Sequence, residues 1–159
     1  MFKVYCTQFN YQYGDQIHFP YSIARIIAYI KNEKELEPNF KFENAFIFRE
    51  KVDNYIKSCT DCDILLSSCY VWNWEITKYA AEKIKKQNPN CLIIFGGPQI
   101  PNRSEGFFKN HPYVDIIVHG EGELVLSNIF KAFFKDKDYS KIKGIETKDF
   151  RNEPEDRIK

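Results

Sequence analysis

The run CLIIF at residues 91–95 is unbroken, apolar and rich in β-branched side chains, and it stops abruptly at Gly96-Gly97-Pro98. Such a run predicts a strand buried on both faces, which requires helices above and below the sheet. The paired glycines remove two Cβ atoms at the strand's carboxyl end. Open α/β sheets bind ligands there, and backbone without side chains admits a bulky group closely. A Gly-Gly turn that merely leaves the strand is the alternative reading.

Four more strands are predicted at residues 2–6, 42–48, 63–69 and 115–118, with an edge strand at 142–146. Helical spacing fills the gaps between them. Residues 21–35 carry Ile23, Ile26, Ile27 and Ile30 behind Pro20, and 51–57 carry Val52, Tyr55 and Ile56 on one face. Residues 75–87 present Ile76, Tyr79, Ala80 and Ile84 inward, and 121–134 present Leu124, Val125, Ile129, Phe130 and Phe133. A short helix or turn is expected at 104–109. Five strand-helix repeats with apolar strands predict an α/β fold: a doubly wound, mainly parallel five-stranded sheet, flavodoxin-like or Rossmann-like, with helices on both faces.

A chain of 159 residues suits one such domain. Residues 1–147 are expected to form it, and the polar stretch 148–159 reads as the start of a linker. Lys and Arg are spread along the helices and the net charge is +1, so neither nucleic acid nor a membrane surface is an expected partner. No apolar run approaches the ~18 residues of a membrane span, and the start MFKVYCTQFN lacks the pattern of a signal peptide, so a cytoplasmic location is expected. The five cysteines are then read as reduced thiols. Cys59 and Cys62 form a Cys-x-x-Cys pair, but no second ligand pair completes a zinc site, and the pair ends a helix instead of opening one.

The strand ends gather the chemistry. A long polar-aromatic loop, TQFNYQYGDQIHFPY, follows the first strand; Ser67-Ser68-Cys69-Tyr70-Val71-Trp72-Asn73 follows the third. Gly96-Gly97-Pro98 follows the fourth, and Gly120-Glu121-Gly122-Glu123 the fifth. All fall on one edge of the sheet, where small residues and hydroxyls can line a slot for a long, polar-tailed ligand beside the flat faces of Tyr70 and Trp72. No nucleotide loop of either glycine-rich type occurs. Glu121 and Glu123, at the start of a helix, also suit capping of its dipole.

The ordered series DILLSSCYVWN, IIFGGP and VDIIVHGEGE resembles the amino-terminal cobalamin-binding domain of radical S-adenosylmethionine enzymes, over nearly the whole chain. The wider fold carries Asp-x-His-x-x-Gly after strand one, Ser-x-Leu at strand three and Gly-Gly after strand four. Ser68-Cys69-Tyr70 is similar to the second element with Tyr for Leu, and Gly96-Gly97 matches the third. The resemblance implies cobalamin as cofactor. Its tail would pass Ser67, Ser68, Gly96, Gly97 and Pro98, its corrin would be flanked by Tyr70, Trp72 and Asn73, and Gly120, Glu121, Gly122 and Glu123 would close the pocket.

The first element departs from the pattern: Asp15 and His18 stand one residue too far apart, and Tyr21 replaces the glycine. His18 is therefore either a cobalt ligand or a solvent-exposed loop histidine. The Cys-x3-Cys-x2-Cys that would hold an iron-sulfur cluster does not occur, so the cluster, S-adenosylmethionine and the radical step are expected in an absent domain joined in cis. Methyl transfer or related radical chemistry would be the shared reaction. The competing reading is a degenerate, ligand-free docking module in which Phe9, Tyr11, Tyr13, Phe19 and Tyr21 fill the slot or bind a protein. A phosphorylated receiver domain is excluded, because strand three ends in Ser-Ser-Cys-Tyr without an acidic group.

Overall fold

The computed structural model of the chain describes residues 1–12, 14–16 and 18–156. Among them the elements run β1 (Phe2–Asn10), α1 (Tyr21–Lys31), β2 (Phe40–Phe42), β3 (Phe46–Phe48), a 3-10 turn (Arg49–Lys51), α2 (Val52–Ser58) and β4 (Ile64–Ser68). They continue with α3 (Trp74–Gln87), β5 (Leu92–Gly96), α4 (Phe107–Asn110), β6 (Ile116–Val118), α5 (Gly122–Lys135) and β7 (Ile145–Glu146). The sheet order is β2-β1-β4-β5-β6-β7, with β3 also paired to β1. All pairs are parallel except β6 with β7. This is the doubly wound order with its reversal between β1 and β4, the position that opens a crevice at the carboxyl edge.

Alternation along the strands divides the core in two, because successive side chains point to opposite faces. Val4, Cys6, Ile64, Leu66, Ile94, Ile116 and Val118 pack under α1 and α5 through Ile23, Ile30, Val125, Ile129 and Phe130. Phe9, Leu65, Ile93, Phe95 and Ile117 pack under α2 and α3 through Tyr55, Ile56, Ala80, Ala81 and Ile84. Both faces are covered, as the apolar strands require.

Several boundaries differ from the sequence expectation. β1 runs on to Asn10, because Thr7 and Gln8 are buried polar residues that find partners at the carboxyl edge: Thr7 Oγ1 donates to Ser67 Oγ at 2.9 Å, and Gln8 Oε1 accepts from Ser22 Oγ at 2.9 Å. The first strand is thus four residues longer than expected before α1 begins at Tyr21. The second predicted strand is two short ones, β2 and β3, separated at residues 43–45, each pairing with a different part of β1. The first helix stops at Lys31, short of residue 35. In α3 the buried stripe is Thr77, Ala80, Ala81 and Ile84, whereas Tyr79 is 43% exposed with its hydroxyl on Asp53 Oδ1 at 3.0 Å, a polar tip that keeps the ring at the surface. After β7 the chain folds back: Asn152 N–H donates to Ile145 O at 3.0 Å, and Gly144 N–H donates to Glu153 O at 2.7 Å.

Candidate functional site

A cleft of about 200 Å³ opens at the carboxyl edge, between the sheet and the α1/α5 layer. Its sheet side is Leu66, Ser67, Ser68, Ile94, Gly96, Gly97 and Val118; its helix side includes Ser22, Arg25 and Ile26 from α1 and Gly122, Glu123 and Leu126 from α5. Its lining combines buried apolar side chains, Leu66, Ile94, Val118 and Leu126, with the polar Ser22, Ser67, Ser68, Arg25 and Glu123. At the rim, Ser22 Oγ lies 3.2 Å from both Ser68 Oγ and Tyr70 Oη while donating to Gln8. This cluster ties α1, β1 and β4 together at one point.

The turn after β4 is built by Asn73. Its side chain is fully buried, donating from Nδ2 to Ser68 O at 3.0 Å and accepting Tyr70 N–H on Oδ1 at 2.8 Å. The latch projects Tyr70 and Trp72 from the edge, where their rings stack at 4.4 Å and 12°. Arg49 braces the same turn, donating to Trp72 O at 2.7 Å with its guanidinium 4.3 Å from the Tyr11 ring centre. A second hollow, of about 420 Å³, lies on the other side of Tyr70 and is lined by Gln8, Asn10, Tyr11, His18, Phe19, Tyr70 and Trp72. Tyr70 is thus the shared wall of cleft and hollow.

Two glycines of the edge have different reasons to be glycine. Gly97 has φ +100°, and a Cβ there would stand 2.7 Å from Cys69 O, so the fold alone demands it. Gly96 has no such conflict: its Cβ would meet Val118 at 3.8 Å in ordinary contact. The small size of Gly96 serves the open space of the cleft.

Of the residues singled out in the sequence, Ser67, Ser68, Tyr70, Gly96, Gly97, Gly120, Gly122 and Glu123 converge on the cleft. Trp72 and His18 come together at the second hollow, and His18 is exposed, its carbonyl accepting from Asn10 Nδ2 at 3.0 Å. Asn73 lies beneath the site, and Pro98 and Glu121 are exposed outside both linings. Glu121 holds the N-cap position of α5 without a side-chain cap, while Glu123 binds Arg25 Nη2 at 2.8 Å. Tyr13, and Ile17 of the loop motif, lie outside the described residues. Tyr11, Phe19 and Tyr21 are exposed at the rim, and Phe9 is buried on the opposite face, so the described loop aromatics leave the cleft open.

Sequence reasoning missed Gln8, Ser22 and Arg25. Ser22 and Arg25 are three apart on α1, and that polar stripe beside Ile23 and Ile26 was the available signal.

The thiols are no part of this site. All five are buried and free; Cys62 faces Cys91, Sγ to Sγ 3.3 Å, instead of Cys59. Burial pushes the Cys6 and Cys59 thiols up to about 12 and raises Cys69 as well, so these sulfurs stay protonated and are poor nucleophiles or ligands. Among the described residues no group of three or more His, Cys, Asp or Glu is placed to hold a metal ion. Nor is any helix among the described residues long and apolar enough to cross a membrane.

The sheet order and edge cleft define a doubly wound α/β domain with an open cleft between its sheet and the α1/α5 helices. Residues 18–130 match the B12 binding domain family, and the chain belongs to that family, whose cofactor is cobalamin. The chain is 33% identical over 119 residues to a 2-(S-pantetheinyl)-carbapenam-3-carboxylate methyltransferase of Streptantibioticus cattleyicolor, covering 74% of this chain and 18% of that protein. It is 31% identical over 144 residues to the cobalamin-dependent radical SAM methyltransferase TokK of Streptomyces tokunonensis, covering 90% of this chain and 21% of that protein. The fold superposes on the radical S-adenosylmethionine methyltransferase TsrM of Kitasatospora setae, solved with cobalamin and a [4Fe-4S] cluster, with TM-score 0.69 and 14% identity over 96% of this chain and 29% of that one. The chain therefore spans about a fifth of the length of the two curated relatives described.

The residues present fit the cofactor. Leu66, Ile94, Val118 and Leu126 give the cleft the apolar surface a benzimidazole would need, the Ser22 and Ser68 hydroxyls could hold polar groups of the tail, and Gly96, without a side chain, leaves its part of the lining open.

Proposed function

We propose that this domain binds cobalamin with the corrin over the carboxyl edge of the sheet and the nucleotide tail in the cleft, and presents the cobalt to a radical S-adenosylmethionine domain in the same polypeptide. The open cleft between sheet and α1/α5 carries this reading, because the described loop aromatics do not fill it. When bound, cobalamin supplies a cobalt centre able to carry a methyl group, and the protein supplies orientation and exclusion of water. Ser22, Ser68 and Tyr70 offer hydroxyls at the rim, Leu66, Ile94 and Val118 take the apolar base, and the Tyr70–Trp72 stack gives the corrin a flat apolar wall. His18, beside that wall in the second hollow, is the candidate imidazole for cobalt. The methyltransferase names of the curated relatives support methyl transfer as the reaction of the whole protein.

The test is a titration of the purified chain with hydroxocobalamin, read by visible absorbance after desalting. Stoichiometric retention is expected. A spectrum altered in His18→Ala assigns the imidazole to cobalt, and an unaltered one assigns His18 to the loop surface. A folded chain that retains no cobalamin overturns the proposal. The second reading, a ligand-free docking module, draws on the exposed Tyr11, Phe19, Tyr21 and Trp72 around the edge, and that negative result would favour it.

A further inference from the structure

Arg25 and Glu123 meet across the cleft, one from the second turn of α1 and the other from the first turn of α5, with Nη2 to Oε1 at 2.8 Å. Both line the cleft. The carboxylate side chain is only 11% exposed and the guanidinium 54%, so the pair stands at the mouth with its cation outward. The Tyr21 ring centre, also in the lining, lies 6.0 Å from the guanidinium carbon. Arg25 is the one cationic side chain among the described residues of the lining.

We propose that Arg25 is the recognition group for the phosphodiester of the nucleotide tail, which makes the domain selective for complete cobalamin over corrinoids that lack the tail. The inference rests on the cobalamin reading and deepens it. The tail joins the corrin to a flat, apolar benzimidazole through a phosphodiester and a ribose. With the base against the apolar lining of Leu66, Ile94, Val118 and Leu126 and the corrin over the edge, the single negative charge between them has to cross the mouth. A mouth holding Glu123 alone would repel that charge. Arg25 cancels the carboxylate and, because guanidinium presents five donors in a planar fork, can hold Glu123 through one edge and a phosphate oxygen through another. Glu123 is then a positioning residue: its carboxylate fixes the long Arg25 side chain in place before the ligand arrives, which lowers the ordering cost of binding.

The experiment compares two probes, hydroxocobalamin and dicyanocobinamide, a corrinoid without the nucleotide tail, by equilibrium titration on the wild-type chain, Arg25→Gln and Arg25→Lys. Loss of a charge-assisted contact predicts cobalamin binding weakened about tenfold or more in Arg25→Gln, with cobinamide binding unchanged. Arg25→Lys, which keeps the charge and loses the fork, is expected to fall between. Raising the salt concentration should narrow the gap between wild type and Arg25→Gln for cobalamin, because the contact sits at the solvent boundary. Equal cobalamin affinity in wild type and Arg25→Gln, or an equal loss for both probes, overturns the assignment while leaving cobalamin binding standing. A folded wild-type chain that takes up neither probe overturns the cobalamin reading and this inference together. Circular dichroism melts of the variants confirm that each is folded when titrated.

Discussion

The backbone oxygen of Cys69 lies 2.7 Å from the place a Cβ on Gly97 would occupy. Around this contact the ends of β4 and β5 stay paired beyond the strands proper, Cys69 N–H donating to Gly96 O at 2.7 Å and Gln99 N–H donating to Cys69 O at 3.1 Å. The two chain exits are thereby pinned to each other directly above the cleft. Gly97 also has φ +100°, a conformation that L side chains rarely adopt. Gly97→Ala therefore meets strain and a backbone clash at once, with no flexible side chain to move aside. Chemical denaturation should show a loss of about 2 kcal/mol or more. Unchanged stability would mean that the paired exits are not rigid.

The neighbouring glycine separates fold from ligand. A methyl group on Gly96 meets only Val118 at 3.8 Å, so Gly96→Ala should stay within about 1 kcal/mol of wild type. Gly96→Leu adds a bulky side chain to the cleft lining beside Val118, and it is expected to remain folded yet retain little cobalamin after desalting. Full retention by that variant would place the tail elsewhere.

The layered core was legible because it rests on side-chain periodicity. The runs at 64–66 and 92–95 are wholly apolar and read as central strands, and on α5 the predicted Val125, Ile129, Phe130 and Phe133 are buried, whereas Leu124 is half-buried outside the core and Leu126 takes the inward place. What escaped were places where polarity is satisfied by tertiary partners. Thr7 and Gln8 look like loop residues until Ser67 and Ser22 supply their hydrogen bonds, and Tyr79 looks like a core aromatic until Asp53 takes its hydroxyl. The site followed the same division. Glycines and serines at the strand ends announced the sheet side of the cleft, but Arg25 gained meaning only once Glu123, distant in sequence, was brought opposite it.

Asn73, expected from the sequence to flank the corrin, lies instead beneath the turn and outside both linings. Fully buried, it satisfies Ser68 O and Tyr70 N–H with the two ends of one amide. Asn73→Ala removes both partners at once and leaves backbone groups short of hydrogen bonds near the core, a cost of about 2–3 kcal/mol. Asn73→Asp keeps the acceptor for Tyr70 but sets a carboxylate against Ser68 O, so it should not restore stability. Both variants should also weaken cobalamin retention, since Tyr70 is shared by cleft and hollow. A melting temperature for Asn73→Ala equal to that of wild type would remove the latch from this account.

A pH effect is expected at the far side of the second core, where His111 sits edge-on to Phe107 at 4.8 Å and to Trp74 at 5.6 Å, with Nδ1 3.0 Å from Tyr113 Oη. Burial holds its pKa below the ordinary 6.5, the Lys78 ammonium adds to the depression, and Glu75 opposes it. The folded chain thus resists a proton that the unfolded chain accepts. In the window below 6.5 the unfolded state binds more protons, so stability declines as pH falls and levels off once the pH lies below the folded-state value. Phe107 and Trp74 belong to the same packed face as Phe95, which makes the penalty one of global unfolding instead of local fraying. Melting temperatures measured between about pH 7.5 and 5.5 should fall more steeply for wild type than for His111→Phe, in which the ring remains and the titration is gone. Parallel curves for the two proteins would show that His111 accepts its proton as readily in the folded chain as in the unfolded one.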